Sequence, residues 1–137
     1  MNYSAQAIVI DEDSKIYLEN NTVIWSLSFI GWKLEKWENA IEALKREIGE
    51  ELWLYLPDMR FLDWELQPKR VFAGISWVST YFILQLSDSE VQKIEKQANI
   101  DINTYDFSTL ERLEDDMFPI ERIAFLQQIQ RALDSVM

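Results

Sequence analysis

Alternation of apolar and polar residues marks three short strands at the start of the chain. Residues 4–10 form an apolar run that is typical of a buried strand, and residues 15–19 form a second strand after the polar turn at 11–14. Residues 23–29 alternate large apolar residues with serine and isoleucine, which predicts a strand with one polar face. The chain therefore begins with a hairpin and a third strand.

The period of the apolar residues changes at Asn39, where the first helix is predicted to begin. Asn39 and Glu42 have the spacing of a capping box, in which the side chain of each residue would satisfy a backbone N–H of the other. Pro57 closes the segment, because proline removes a helical hydrogen bond. The buried stripe of this helix is predicted to consist of Ile41, Leu44, Ile48 and Leu52.

The rest of the chain predicts two longer strands, a short helix, a short strand and a terminal helix. In order, these are residues 59–66, 70–86, 89–97 and 105–110, and an amphipathic helix from Pro119 that is marked by the spacing of Ile123, Leu126, Ile129 and Leu133. The order β-β-β-α-β-β-(α)-β-α indicates an α+β fold with one mixed sheet flanked by helices. Since no repeat and no Gly-, Ser- or Pro-rich linker divides the chain, residues 1–137 are expected to form one domain.

Composition narrows the chemistry that this domain can perform. The chain has 13 Lys and Arg against 24 Asp and Glu, a formal charge of −11. It should therefore repel duplex nucleic acid and anionic membranes, whose binding needs basic residues, while a small polyanion remains acceptable where a metal ion supplies positive charge. Cysteine and histidine are absent, which excludes thiolate sites and the commonest general base. Carboxylates must carry any acid, base or metal chemistry.

The expected compartment is the cytoplasm. The N-terminus lacks a charged segment followed by an apolar core, and no apolar run approaches the roughly 18 residues of a membrane helix. The six tryptophans and the other aromatic residues are compatible with either a monomer or a homodimer.

Three carboxylates of the first helix, Glu47, Glu50 and Glu51, share one side of one turn. Like charges at these spacings cost a few tenths of a kcal/mol per pair unless something neutralises them. Mg²⁺ prefers carboxylate oxygen and leaves positions for water and substrate phosphates. On this pattern alone two interpretations stay open: a metal site, or an unrelated α/β domain whose glutamate-rich helix is merely solvated.

The segment at residues 31–54 resembles the Nudix box, G-x5-E-x7-R-E-U-x-E-E-x-G-U, where U is a bulky apolar residue. Glu38 stands eight residues before Arg46, and the run Arg46-Glu47-Ile48-Gly49-Glu50-Glu51 agrees with the core of the box at every specified position. The order of strands and helices around this segment is also similar to that of the Nudix fold. The resemblance implies an α/β/α domain, a mixed sheet sandwiched between helices.

The resemblance also implies roles for the residues of the box. Glu47, Glu50 and Glu51 would bind Mg²⁺ or Mn²⁺, Arg46 would hold Glu47 in place, and Glu38 would brace the loop before the helix. One of the three ligands, or a fourth acidic residue such as Glu95 or Asp101, would be the base. The implied reaction is attack by water on a phosphoanhydride of a small nucleotide, either a nucleoside triphosphate or a nucleoside diphosphate derivative.

Tryptophan replaces two glycines of the box, Trp32 at the first position and Trp53 at the last. Where glycine serves a positive φ, tryptophan follows only at a cost of about 1–2 kcal/mol. We consider two adjustments: Gly31 absorbs the first change by a local shift in register, and the helix runs on toward Pro57 to avoid the second. These departures support an alternative function, a Nudix-fold nucleotide-binding or interaction module with weak or no hydrolase activity.

Substrate contacts are predicted from the remaining aromatic and basic residues. Trp25, Trp32 and Trp77 are candidates for stacking on a nucleobase, and core packing is the alternative for each of them. Among the basic residues, Lys33 lies inside the box and is the first candidate for a phosphate contact, ahead of Lys69 and Arg70. A solvated surface side chain is the alternative for these three.

Overall fold

A computed structural model describes residues 2–21, 26–31, 33–66, 70–72, 75–118 and 122–136, with the backbone alone at 2, 21, 63–66, 70–72 and 75–77. Within these residues the chain forms a mixed sheet of seven strands. Their bounds are β1 Asn2–Asp11, β2 Ile16–Asn21, β3 Ser26–Ser28, β4 Leu62–Leu66, β5 Arg70–Phe72, β6 Ile75–Leu86 and β7 Ile102–Tyr105.

Four α-helices are found in the described part of the chain: α1 Ala40–Leu52, α2 Asp88–Gln97, α3 Phe107–Leu110 and α4 Arg122–Val136. Single 3₁₀ turns at Asp58–Arg60 and Asp115–Met117 precede β4 and α4. The long helices α1 and α4 both contact β1.

Strand β1 lies at the centre of the sheet, whose order is β3-β2-β1-β6-β4. It pairs in parallel with β6 from Asn2↔Trp77 to Asp11↔Leu86 and antiparallel with β2. The other pairings are antiparallel, with β5 on β6 and β7 on β2. This arrangement surrounds β1 and β2 with neighbours on both sides.

The two faces of the sheet carry separate apolar cores because successive side chains of a strand point to opposite faces. Ala5, Ala7 and Val9 of β1 pack with Leu44, Ile48 and Leu52 of α1. On the other face, Ile8 and Ile10 pack with Phe125, Ile129 and Leu133 of α4. The predicted α+β class, with a mixed sheet sandwiched between helices, is therefore confirmed.

Two predicted strands are wrong in their extent. Residues 70–86 do not form one strand, since Arg70 pairs antiparallel with Trp77 and Phe72 with Ile75, so that β5 folds back on β6. The predicted strand at 59–66 begins only at Leu62, after the 3₁₀ turn. In both segments the sequence pattern of apolar residues gave no sign of these strand boundaries.

The predicted strand at 105–110 is also wrong. Strand β7 ends at Tyr105, and residues Phe107–Leu110 form the short helix α3, which is preceded by Asp106 in an extended conformation. The strand at 23–29 is described only at Ser26–Ser28, and the predicted helix start at Pro119 lies outside the described residues. Within the described ranges, no helix is both long enough and apolar enough to cross a membrane.

Candidate active site

Helix α1 is held at its start by the capping box that the sequence predicts. The amide of Glu42 donates to Asn39 Oδ1 at 2.9 Å, and the amide of Asn39 donates to Glu42 Oε1 at 3.1 Å. Leu44, Ile48 and Leu52 are fully buried against the sheet. Their burial fixes the rotation of the helix about its axis and so decides where the acidic side lies.

The helix ends at Leu52, because Trp53 adopts the left-handed conformation with φ 58° and ψ 32°. Its amide donates to the carbonyl of Gly49 at 3.2 Å, which closes the last turn. The expectation that the helix runs on toward Pro57 is therefore wrong. Tryptophan here takes the positive φ for which glycine is usual at the end of a helix.

Gly31 occupies a position that only glycine tolerates. Its φ is +103°, and a Cβ placed on it would lie 2.5 Å from the carbonyl oxygen of Ala5 and 2.8 Å from Leu44 Cδ1. The loop therefore passes in close contact with β1 on its way to α1. Trp32, which stands at the first glycine position of the box, lies outside the described residues.

Arg46 connects the loop before α1 to two of its acidic side chains. Its guanidinium donates to both carboxylate oxygens of Glu38, at 2.8 and 3.0 Å. Its Nη1 lies 3.3 Å from Glu47 Oε1 and 3.4 Å from Glu50 Oε2, and its Nη2 lies 3.4 Å from the carbonyl of Lys33. Hydrogen bonding to Arg46 lowers the pKa of the Glu38 carboxyl, so this ion pair persists over the neutral range.

Glu51 is the most perturbed carboxyl of α1. Burial, which is the largest cause, acts together with hydrogen bonding to Glu47 and with the neighbouring negative charges to raise the pKa of Glu51 to about 8. The buried oxygen Oε2 of Glu51 nevertheless has no hydrogen-bond partner.

Glu19 on β2 joins this acidic cluster, and the sequence analysis missed it. Burial raises the pKa of Glu19, and the charges of Glu47 and Asp101 raise it further, while Glu19 in turn raises the pKa of Glu51. The signal was available in the alternation of β2. Glu19 is in phase with the buried Tyr17, and it is therefore a charged residue on the face of the sheet that α1 covers.

The cluster is a partial match to a cation site. Its donors are carboxylate oxygens, which suit Mg²⁺ and Mn²⁺, and one of them, Glu51 Oε2, is buried without a partner. Among the described residues, no three acidic side chains already stand in an arrangement that could hold one ion. Glu50 instead lies near Arg46, and 62% of its side-chain surface is exposed. A cation bound to Glu50 would therefore compete with Arg46 for its carboxylate.

Solved structures share this fold over nearly the whole chain. The dihydroneopterin triphosphate pyrophosphohydrolase of E. coli is 14% identical with a TM-score of 0.71, and the alignment covers 97% of this chain and 95% of that chain. A mutT/nudix family protein from Listeria innocua is 16% identical with a TM-score of 0.70, covering 98% and 93%. The Ap4A hydrolase of C. elegans is 10% identical with a TM-score of 0.68, covering 99% and 98%.

The chain has the Nudix hydrolase fold. This result confirms the fold that residues 31–54 predict. No protein-family model and no curated protein sequence matches the chain, and at 10–16% identity the structural neighbours establish the Nudix fold alone.

Only some of the residues that are predicted to contact the substrate lie in the described part of the chain. Lys33 is exposed in the loop before α1. Its backbone forms an isolated antiparallel β-bridge with that of Ser4 in β1. Trp25, Trp32 and Lys69 lie outside the described residues. Trp77 and Arg70 are described by their backbones alone, in β6 and β5.

The structure separates the two candidates for a fourth acidic residue. The carbonyl of Asp101 accepts a hydrogen bond from the amide of Asn20 at 2.8 Å, and its charge acts on Glu19. Glu95 instead lines a cavity of about 610 Å³ together with Asp11, Tyr17 and other residues of α2, β7 and α3. Of the two candidates, Asp101 is therefore the one whose charge acts on Glu19, whereas Glu95 lines a separate cavity.

Proposed function

We propose that this chain is a divalent-cation-dependent hydrolase that cleaves a phosphoanhydride bond of a small nucleotide. Glu47, Glu50 and Glu51 are the proposed ligands of Mg²⁺ or Mn²⁺. The substrate class is a nucleoside triphosphate or a nucleoside diphosphate derivative.

The observation that carries the proposal is the state of Glu51. A buried carboxylate oxygen without a hydrogen-bond partner costs free energy in the folded protein. The cost is increased by the neighbouring charges of Glu47 and Glu19. A divalent cation bound between the carboxylates would neutralise their charges and offset this cost.

The chain's own residues orient the cluster. Arg46 is anchored by two hydrogen bonds to Glu38, and the same guanidinium limits the movement of Glu47. Glu47 is mostly buried, with 15% of its side-chain surface exposed. When bound, the cation supplies positive charge against the substrate phosphates and activates water. One of the cluster's carboxylates, or Asp101, accepts the proton of the attacking water.

The proposed substrate follows from charge and from two of the structural neighbours. With a net charge of −11, the surface disfavours long polyanions but tolerates a small one at a cation site. Two neighbours are named for hydrolysis of dihydroneopterin triphosphate and of Ap4A. We extend to this chain only the feature that these names share, a chain of linked phosphates on a small heterocyclic compound.

The test is a panel of nucleoside triphosphates and nucleoside diphosphate derivatives, assayed for release of phosphate or pyrophosphate with Mg²⁺ and with Mn²⁺. Glu51→Gln and Glu50→Gln are expected to lower turnover by at least about a hundredfold, as for loss of one charged catalytic contact. Glu42→Gln is the matched control, because it makes the same change in the same helix and glutamine can still cap it. Near-normal rates in both site variants would refute the metal assignment.

The alternative function, a binding module without hydrolysis, has a different outcome in the same panel. It predicts nucleotide binding by calorimetry with no release of phosphate from any substrate. Activity that depends on a divalent cation and on Glu51 would exclude it.

A further inference from the structure

The C-terminal end of α1 is held by residues that lie almost fifty positions further along the chain. The last carbonyls of a helix have no partner within it. Here Asn99 Nδ2 donates to the carbonyl of Glu50 at 3.0 Å. The backbone amide of Asn99 donates to the carbonyl of Glu51 at 2.7 Å. Gln97 Nε2 donates to the carbonyls of Leu52 and Trp53, at 3.4 and 3.2 Å.

The same segment is attached to β2 on its other side. The amide of Asn20 donates to the carbonyl of Asp101 at 2.8 Å, and β7 then continues along β2 with Ile102 paired to Glu19. Ile100, between the two attachment points, packs against the apolar core below α1. Residues 97–101 therefore form a tie between the last turn of α1 and the part of β2 that carries Glu19.

The chemistry of this tie suits a cation site. The end of a helix carries partial negative charge, and basic side chains commonly offset it. The last turn of α1 has no basic residue, and its carbonyls are bound instead by neutral amides. A lysine or arginine in the same place would pair with Glu50 or Glu51 and compete with a cation. An amide satisfies the carbonyls and leaves the carboxylates free.

We propose that Asn99 is a positioning residue that, supported by Gln97, sets the distance between the acidic turn of α1 and Glu19 on β2. The inference rests on the proposed function, because it concerns the geometry of the same carboxylates. The hydrogen bonds of Asn99 to α1 are made to backbone carbonyls, so the proposed role needs no contact with the substrate.

Asn99→Ala tests the proposal, because it removes the side-chain donor and keeps the backbone donor to Glu51. Asn99→Leu retains most of the volume without a donor, so it separates hydrogen bonding from the filling of space. Asn103→Ala is the matched control, since Asn103 is exposed on the neighbouring strand β7. Gln97→Ala is a milder variant of the same tie.

Two measurements decide the outcome. Hydrogen exchange of the amides at the end of α1 measures how strongly the tie protects the last turn of the helix. Calorimetry without nucleotide measures the affinity of the carboxylates for Mn²⁺. We expect Asn99→Ala and Asn99→Leu to lose about tenfold in protection and about 10–100-fold in Mn²⁺ affinity, as for other residues that orient metal ligands. Gln97→Ala should show smaller losses in protection and in Mn²⁺ affinity, and Asn103→Ala should change neither quantity.

Unchanged protection would overturn the proposal, and so would lost protection with unchanged Mn²⁺ affinity. Wild-type behaviour of Asn99→Leu would show that Asn99 only fills space, which also overturns it. Absence of Mn²⁺ binding in the wild-type protein is a different result. It refutes the proposed metal site, and the exchange measurement then still decides whether Asn99 orders the turn.

Discussion

The guanidinium of Arg46 meets the carboxylate of Glu38 side by side, with Nε at 2.8 Å from Oε2 and Nη2 at 3.0 Å from Oε1. Glu38 Oε1 also accepts a hydrogen bond from the backbone amide of Glu35 at 2.8 Å. These contacts join the loop before α1 to the middle of the helix. They also leave Nη1 of Arg46 near Glu47 and Glu50.

Arg46→Lys should therefore lower the stability of the fold, although it keeps the positive charge. Lysine is a point charge and cannot form the paired contact, so we expect a loss of about 1–2 kcal/mol in the free energy of unfolding. Urea unfolding measures this loss. Arg122→Lys is the control, since the ion pair of Arg122 with the largely exposed Asp115 is formed by a single nitrogen at 3.4 Å and is not a paired contact. Equal losses in the two variants would contradict the special role of the pair.

Glu51→Gln should stabilise the protein in the absence of divalent cations. A carboxyl whose folded pKa is raised destabilises the fold at every pH above its ordinary value. A neutral amide of the same size removes this penalty and can donate to Glu47. We expect a gain of roughly 1 kcal/mol at pH 7 once screening by solvent is allowed for.

The measurement is chemical unfolding with a chelator present, compared with Glu50→Gln. Glu50 is mostly exposed and pairs weakly with Arg46, so its variant should lose a few tenths of a kcal/mol. A gain in stability together with lost Mn²⁺ binding is the expected signature of Glu51. Loss of stability in Glu51→Gln would show that the carboxyl serves the fold and not a cation.

Trp53→Gly should stabilise the end of α1. A residue other than glycine at φ 58° carries a strain of about 1–2 kcal/mol, and half of the Trp53 side chain is exposed. We expect the free energy of unfolding to rise by about 1 kcal/mol. Trp37→Gly is the control, because Trp37 is 81% exposed and has no positive φ.

The activity of Trp53→Gly separates the two functional hypotheses. A gain of cation-dependent hydrolysis would indicate that the tryptophan has reduced an earlier activity. A loss of existing activity alongside higher stability would show that the indole serves the native site. The hydrolysis assay of the nucleotide panel measures both outcomes.

Acid should break the ion pair between Arg60 and Glu90, which joins the 3₁₀ turn before β4 to α2. The guanidinium lies 2.6 and 3.0 Å from the two oxygens of Glu90, and hydrogen bonding to Arg60 lowers the pKa of Glu90. A lowered folded pKa stabilises the protein above the unfolded value of 4.5, and the contribution disappears as pH falls through the folded value.

Glu90→Gln should accordingly cost about 1–3 kcal/mol at pH 7 and much less at pH 3, since glutamine retains the cap of α2. Urea unfolding at both pH values gives the two differences. The exposed Glu111→Gln is the control and should show little difference at either pH. A cost of Glu90→Gln that does not change with pH would contradict the assignment.

Local patterns in the sequence were sufficient for the elements with strong periods. The apolar spacing of α1, its capping box and the order of strands around it predicted the helix and the sandwich. The box at residues 31–54 predicted the Nudix fold, because a run of specific residues in one turn carries information that needs no distant partner.

Distant contacts decided the rest. The 105–110 segment was misassigned because β7 is only four residues long, and its extent is set by pairing with β2, not by its own pattern. Glu19 lies near the acidic side chains of α1 because of the position of β2 in the sheet. Asn99 bonds to Glu50 of α1 although nearly fifty residues separate them in the sequence. Periodicity is a property of neighbours along the chain. The distance between two carboxylates on different elements depends on how those elements pack, and only the tertiary structure determines it.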